Sequence, residues 1–159
     1  MIDNLQQNLS DDLDYVLAET RDLWDELRGK CLFITGGTSF FGCWLLESFL
    51  WANEKLGLGS SAVVLTRNVA AFERRLPWLA AHASLRFIQG DIRSFEFPRG
   101  GFSHIVHAAT EAPTRVNEGN PLLKFDTSFR LVKCLVLADC RVAFQVTPMG
   151  APLPFGLVR

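Results

Sequence analysis

Hydrophobic residues along this chain fall into two alternating patterns. Between residues 13 and 27, Leu13, Val16, Leu17, Leu23 and Leu27 recur at helical spacing with acidic residues between them. Ser10 before Asp11, Asp12 and Leu13 reads as an N-cap, and Gly29 as the stop. Residues 1–28 are therefore expected to form one or two helices packed on the body of the molecule. From Cys31 the pattern changes to short, continuous apolar runs, the signature of strands buried on both faces. Cys31–Thr35, Ala62–Thr66, Leu85–Ile88 and Ser103–Ala108 are the predicted strands, with Arg141–Thr147 a candidate fifth. Helical spacing returns between them. It marks Phe41–Leu56 (Leu45, Phe49, Ala52, Leu56) closed by Gly57 and Gly59, then Val69–His82 interrupted at Pro77, and finally Leu122–Leu137.

Strands alternating with helices predict an α/β fold, a doubly wound parallel sheet of Rossmann type covered on both faces. The expected organisation is a helical extension over 1–29, an incomplete dinucleotide-binding domain over 30–147, and a Pro/Gly-rich tail over 148–159.

Composition narrows the function classes. With 48% hydrophobic and 21% charged residues the chain is an ordinary globular mix, and a net charge of −1 gives no pull toward nucleic acid or an anionic membrane. Arg74 and Arg75 read as a solvated helix face. The apolar run Phe40–Trp51 contains Glu47 and is too short to span a bilayer, and the acidic, polar N-terminus has no signal-peptide character. A cytoplasmic setting is expected. Cys31, Cys43, Cys134 and Cys140 form no C-x-x-C pair and no metal spacing with His82, His104 or His107, so no metal site is predicted and the thiols read as reduced. Cys43, in the first turn of a helix where a thiolate is favoured, is the one to weigh for reactivity, but no base stands beside it in sequence.

In a parallel sheet the ligand lies beyond the carboxyl ends of the strands, which directs attention to the first strand-to-helix turn. It reads Thr35-Gly36-Gly37-Thr38-Ser39-Phe40-Phe41-Gly42. Gly36 suits the tight turn and Gly42 lets the helix lie close to the strand, so that helix N–H groups face a pyrophosphate. Phe40 and Phe41 are expected to pack beneath the turn. No Gly-Lys-Ser/Thr follows, which excludes a P-loop; a simple tight connection is the alternative.

On these residues the segment from Lys30 to Thr127 resembles the N-terminal half of the extended short-chain dehydrogenase/reductases, the NAD-dependent epimerase/dehydratase family (nucleotide-sugar enzymes such as dTDP-glucose 4,6-dehydratase). Thr35, Gly36 and Gly42 match that family's Thr-Gly-x-x-Gly-x-x-Gly, and Ser39 stands where its middle glycine is usual. The resemblance implies a cofactor site of Gly36, Thr38, Ser39, Phe40, Phe41 and Gly42 on the turn. Asp91 and Ile92 in Gly90-Asp91-Ile92 would lie at the adenine, and Ala108, Ala109 and Thr110 along the cofactor. Asp126-Thr127 falls where the family's next helix carries Asn or Asp. Read alone, Asp91 is as well a turn cap, and His107 a hydrogen-bonded histidine without a catalytic task. Arg67 ends the second strand where NAD-preferring members place an acid. A guanidinium there suits a 2′-phosphate, so the cofactor is NAD(P), leaning to NADP; an exposed arginine at a strand end is the alternative.

The family's general acid/base, Tyr-x-x-x-Lys, is missing: the one tyrosine, Tyr15, precedes the turn, with Glu19 four residues on. No catalytic residue is assigned, and Thr147, near the family's fifth-strand hydroxyl, is given no role. The resemblance therefore implies the cofactor half of a nucleotide-sugar epimerase or dehydratase, expected to be a truncated or frame-altered member or an isolated N-terminal half, without turnover on its own; an uncovered sheet edge is expected to make it prone to self-association. A non-catalytic dinucleotide-binding or partner-binding module is the alternative.

Overall fold

A computed structural model describes residues 2–98, 100–109 and 142–145, with residues 2–8 and 142–145 described in backbone alone. The predicted helix over Leu122–Leu137 and the tail over 148–159 lie outside the described residues, as do Thr110, Asp126, Thr127 and Thr147.

Five strands, β1 (Cys31–Thr35), β2 (Ser61–Thr66), β3 (Leu85–Gln89), β4 (His104–His107) and β5 (Val142–Gln145), form one sheet in the order β3-β2-β1-β4-β5. All four pairings are parallel, with Thr35 level with both Leu65 and His107. The order runs outward from β1 in both directions, so the crevice between β1 and β4 is the switch point of a doubly wound sheet. This is the Rossmann-type α/β architecture predicted.

Alternation along β1 and β2 sends neighbouring side chains to opposite faces. Leu32, Ile34, Ala62 and Val64 meet Leu46, Phe49 and Leu50 of α2 (Phe40–Lys55), Phe72 of α3 (Val69–Arg75) and Leu79 of α4 (Pro77–Ala80). Proline starts α4, having no N–H to lose at a helix N-terminus, which is why the Val69–His82 segment is two short helices. On the opposite face Phe33, Val63, Leu65 and Ile105 pack against Phe102, Phe95, Phe97 and Ile92. Phe33 touches three rings, at centroid distances of 5.7, 4.8 and 5.4 Å. Helices were expected on both faces; between β3 and β4 an irregular segment supplies aromatic cover instead.

The N-terminal segment is one α-helix, α1 (Ile2–Trp24), followed by a short 3-10 turn over Asp25–Leu27. Ser10 lies inside α1 and is not its cap, because Leu5 and Leu9 extend the i, i+4 row that Leu13 continues. Leu13 is buried and Trp24 and Leu27 join the core, whereas Leu23 faces solvent. α1 lies on α2, tied by Trp51 Nε1 donating to Asp14 Oδ1 at 2.8 Å. Arg28 donates to the Gly57 carbonyl at 2.9 Å, just beyond the end of α2. Among the described residues no helix is long and apolar enough to cross a membrane.

Candidate functional site

β1 delivers Thr35 to the carboxyl edge of the sheet, and Gly36 turns the chain with φ +75°, a left-handed conformation that side chains disfavour. A Cβ on Gly36 would lie 2.3 Å from both the Ala108 carbonyl carbon and the Ala109 nitrogen. The turn thus rests directly on the chain leaving β4. A Cβ on Gly42 would lie 2.1 Å from the Gly36 carbonyl oxygen, so only glycine lets α2 begin this close to the strand. Gly36, Gly42, Ala108 and Ala109 therefore converge at the switch point. Thr110 is outside the described residues.

Ser39 is the N-cap of α2. Its Oγ accepts from Gly42 N at 3.0 Å and donates to the Gly36 carbonyl at 2.8 Å. The hydroxyl thereby occupies one of the N–H groups that a helix N-terminus offers an anion. The N–H groups of Phe40 and Phe41 have no partner among the described residues and remain as donors.

The phenylalanine side chains are not beneath the turn. Phe40 is 83% exposed and Phe41 57%. Capping at Ser39 makes them the first two helical residues, and the rotation that turns Gly42 and Leu46 inward carries them outward. Both flank the free N–H groups.

Thr38 links the turn to β2: its Oγ1 lies 3.1 Å from Thr66 Oγ1, and Arg67 follows Thr66 at the strand end. Arg67 is exposed and makes no hydrogen bond or ion pair with the described residues. The next residue, Asn68, caps α3 by accepting from Ala71 N at 2.9 Å.

Asp91 bonds within its own turn. Arg93 grips both carboxylate oxygens, Nε to Oδ1 at 2.9 Å and Nη2 to Oδ2 at 2.7 Å, and the Arg93 backbone N–H adds a third bond. These bonds, with the charges of Arg93 and Arg67, hold the carboxyl well below the usual carboxylate range. Ile92 is half-buried in the Phe33 cluster.

Two features at the turn were missed. Arg75, assigned to a solvated face, is exposed, yet its Nη2 donates to the Thr38 carbonyl at 2.6 Å and reaches Cys43 Sγ at 3.3 Å. The signal available was its i, i+3 spacing from the buried Phe72, over whose ring it lies at 5.5 Å. The other is the pairing of Thr35 Oγ1 with His107 Nδ1 at 2.6 Å, which ties β1 to β4 beneath the turn. His107 is 2% exposed, and burial pushes its imidazole down to about 4. It is thus a hydrogen-bonded, neutral core histidine.

The reactivity weighed for Cys43 has an opposing force. Burial pushes the thiol up and outweighs the lowering by Arg75, so helix position does not yield a thiolate. Among the described residues no three His, Cys, Asp or Glu side chains are grouped to hold a metal.

No family model and no curated protein matches the chain. Solved structures do. An epimerase from Methanothermobacter thermautotrophicus aligns over 88% of this chain and 43% of its own, with TM-score 0.60 and 18% identity. The dTDP-glucose 4,6-dehydratase DesIV of Streptomyces venezuelae, solved with NAD and TYD bound, aligns over 71% of this chain and 38% of its own, with TM-score 0.54 and 26% identity. The Bordetella bronchiseptica enzyme WbmF, in complex with NADH, aligns over 79% and 40%, with TM-score 0.53 and 17% identity. This chain therefore spans less than half the length of each. The likenesses establish the fold, and the dehydratase adds a relationship, at low identity, to extended short-chain dehydrogenase/reductases of the epimerase/dehydratase type.

Proposed function

We propose that this chain is the NAD(P)-binding portion of an epimerase or dehydratase acting on a nucleotide sugar. The observation that carries the reading is the side-chain-free contact of Gly36 with Ala108–Ala109 and of Gly42 with Gly36, at the switch point of the sheet. This close backbone packing sets the Phe40 and Phe41 N–H groups at the switch point, where they would donate to a pyrophosphate. Bound there, the cofactor would supply hydride transfer; Gly36, Gly42, Ala108 and Ala109 would shape its bed, and Ser39 and Thr38 would fix the turn. Asp91, Ile92 and Arg67 would lie toward the adenosine end, where Arg67 favours a 2′-phosphate and hence NADP. Relatives of the same fold solved with NADH and with NAD support a dinucleotide at this place; the lean to NADP rests on Arg67 alone.

The free thiols Cys31 and Cys43 fit a reducing, cytoplasmic compartment. Self-association fits as well, since β3 and β5 are the outer strands of the sheet among the described residues and outer strands expose pairing groups.

A second reading, a dinucleotide- or partner-binding module without turnover, is favoured by one feature. The only tyrosine of the 159 residues, Tyr15, is exposed on α1 and has no lysine four residues on. The two readings share their cofactor and differ in chemistry.

Calorimetric titration of the chain with NADPH and NADH tests the shared part. Saturable binding, tighter for NADPH and reversed in order by Arg67→Asp, is the expected result. Absence of binding by both overturns it. Incubation with nucleotide-diphosphate sugars is expected to give no product; conversion above a protein-free control would overturn the claim that the chain alone does not turn over.

A further inference from the structure

We propose that Arg75 is a second determinant of cofactor choice, acting with Arg67 on the phosphate monoester of the adenosine ribose; the inference rests on the dinucleotide reading above. A run of contacts connects the two arginines. Arg75 Nη2 holds the Thr38 carbonyl at 2.6 Å, Thr38 Oγ1 meets Thr66 Oγ1 at 3.1 Å, and Arg67 is the residue after Thr66. The last residue of α3 is thereby brought back to the turn, on the side where β2 ends.

The donors of Arg75 are only partly used. A guanidinium carries five N–H groups in a planar fork. Nη2 serves the Thr38 carbonyl and Cys43 Sγ. The N–H groups of Nε and Nη1 have no partner among the described residues, and the side chain is exposed. The Phe72 ring under the guanidinium, 5.5 Å away, restricts its orientation. A fork that is anchored at one nitrogen and free at the others is suited to bidentate capture of a phosphate.

Nearby carboxylates do not answer this charge. Asp91 gives both oxygens to Arg93. Glu47 accepts from Trp78 Nε1 at 3.3 Å, with no hydrogen bond or ion pair to Arg75. Neither Arg67 nor Arg75 makes an ion pair with an acidic side chain among the described residues, although the charge of Arg67 acts on the Asp91 carboxylate. A dianionic 2′-phosphate supplies what both lack, and the ribose hydroxyl of NAD does not.

The test compares fragments that differ by that phosphate alone, using the full chain. Affinities for 2′,5′-ADP and 5′-AMP are measured by calorimetry for the wild type, Arg75→Gln and Arg75→Lys, with a thermal melt of each to confirm folding. For Arg75→Gln the loss on 2′,5′-ADP is expected to exceed the loss on 5′-AMP by about tenfold. Arg75→Lys, which keeps the charge and loses the fork, should fall between. Equal losses on both ligands would reduce Arg75 to a brace for the turn and overturn the proposal, as would no loss on either. If a substitution unfolds the chain, Lys in place of Gln and the NADPH-to-NADH affinity ratio supply the same comparison. A wild type that prefers 2′,5′-ADP while Arg75 variants keep that preference defeats this inference alone. A wild type that binds neither fragment nor dinucleotide defeats the underlying function too.

Discussion

Acidification should destabilise this fold through one buried side chain. His107 sits under the turn with Thr35 Oγ1 on its Nδ1, and burial holds its folded pKa at about 4 against an ordinary 6.5. Between those values the unfolded chain binds a proton that the folded chain refuses. Stability therefore rises with pH through this window: it is present above about 6.5 and lost as pH falls toward about 4. One proton corresponds to ~1.4 kcal/mol per pH unit, so the loss between pH 7 and pH 4.5 is about 2 kcal/mol. That is a substantial part of the ~5–15 kcal/mol typical of a domain. His104 is also lowered by burial and acts with the same sign, but it is less enclosed. Asp91, held low by Arg93, loses its contribution only below the ordinary carboxylate range. Urea unfolding followed by tryptophan fluorescence at several pH values would measure the slope. His107→Gln removes the titration while leaving an amide able to pair with Thr35. The variant is expected to be less stable at pH 7 and markedly flatter with pH. A slope equal to that of the wild type would refute the reasoning, because the pH dependence would then arise elsewhere.

Three further outcomes follow from the same site. Ser39→Gly removes the capping hydroxyl and frees Gly42 N–H; NADPH affinity should rise several-fold by calorimetry, with only a few tenths of a kcal/mol lost from the helix cap, and an unchanged or weaker affinity would show that the hydroxyl does not compete with the cofactor. Gly42→Ala puts a Cβ 2.1 Å from the Gly36 carbonyl oxygen, so both thermal stability and NADPH binding should drop, the former by about 2 kcal/mol or more; a variant matching the wild type in both would mean that α2 can shift away freely. Added NADPH should raise the melting temperature by mass action and reduce light scattering from self-association; a monodisperse monomer whose melting temperature ignores NADPH would count against both.

How much of this was legible in the chain depends on how far each feature depends on distant residues. β1 was read to its last residue and β2 to within one, because strands buried on both faces carry an uninterrupted apolar run; β3, with Arg86 exposed, and β4, bounded by histidines, were read to within a residue at each end on shorter runs. The glycines at 36 and 42 were equally legible, since the positive φ of Gly36 and the approach of Gly42 to the Gly36 carbonyl lie within one turn, although Gly36 also rests on the distant Ala108–Ala109. The same turn misled where burial had to be inferred. Phe40 and Phe41 are large and apolar, so composition places them inside, yet the capping bond of Ser39 sets the helical phase and turns them out. Phe95, Phe97 and Phe102 lie in a segment with no helical or strand period, and what gathers them is Phe33 on a strand more than 60 residues earlier. Arg75 is the sharpest case. By sequence it is one of two adjacent arginines on a short helix, and only its i, i+3 spacing from Phe72 separates it from Arg74. Only the packing of Phe72 into the core swings α3 so that one guanidinium meets Thr38, 37 residues away in the chain. The turn proposed to hold a phosphate is thus encoded largely locally, while the charges set around it are products of tertiary packing. A variant that keeps the Gly36–Gly42 turn and disturbs Phe72 should therefore separate grip on the pyrophosphate from choice of the ribose substituent.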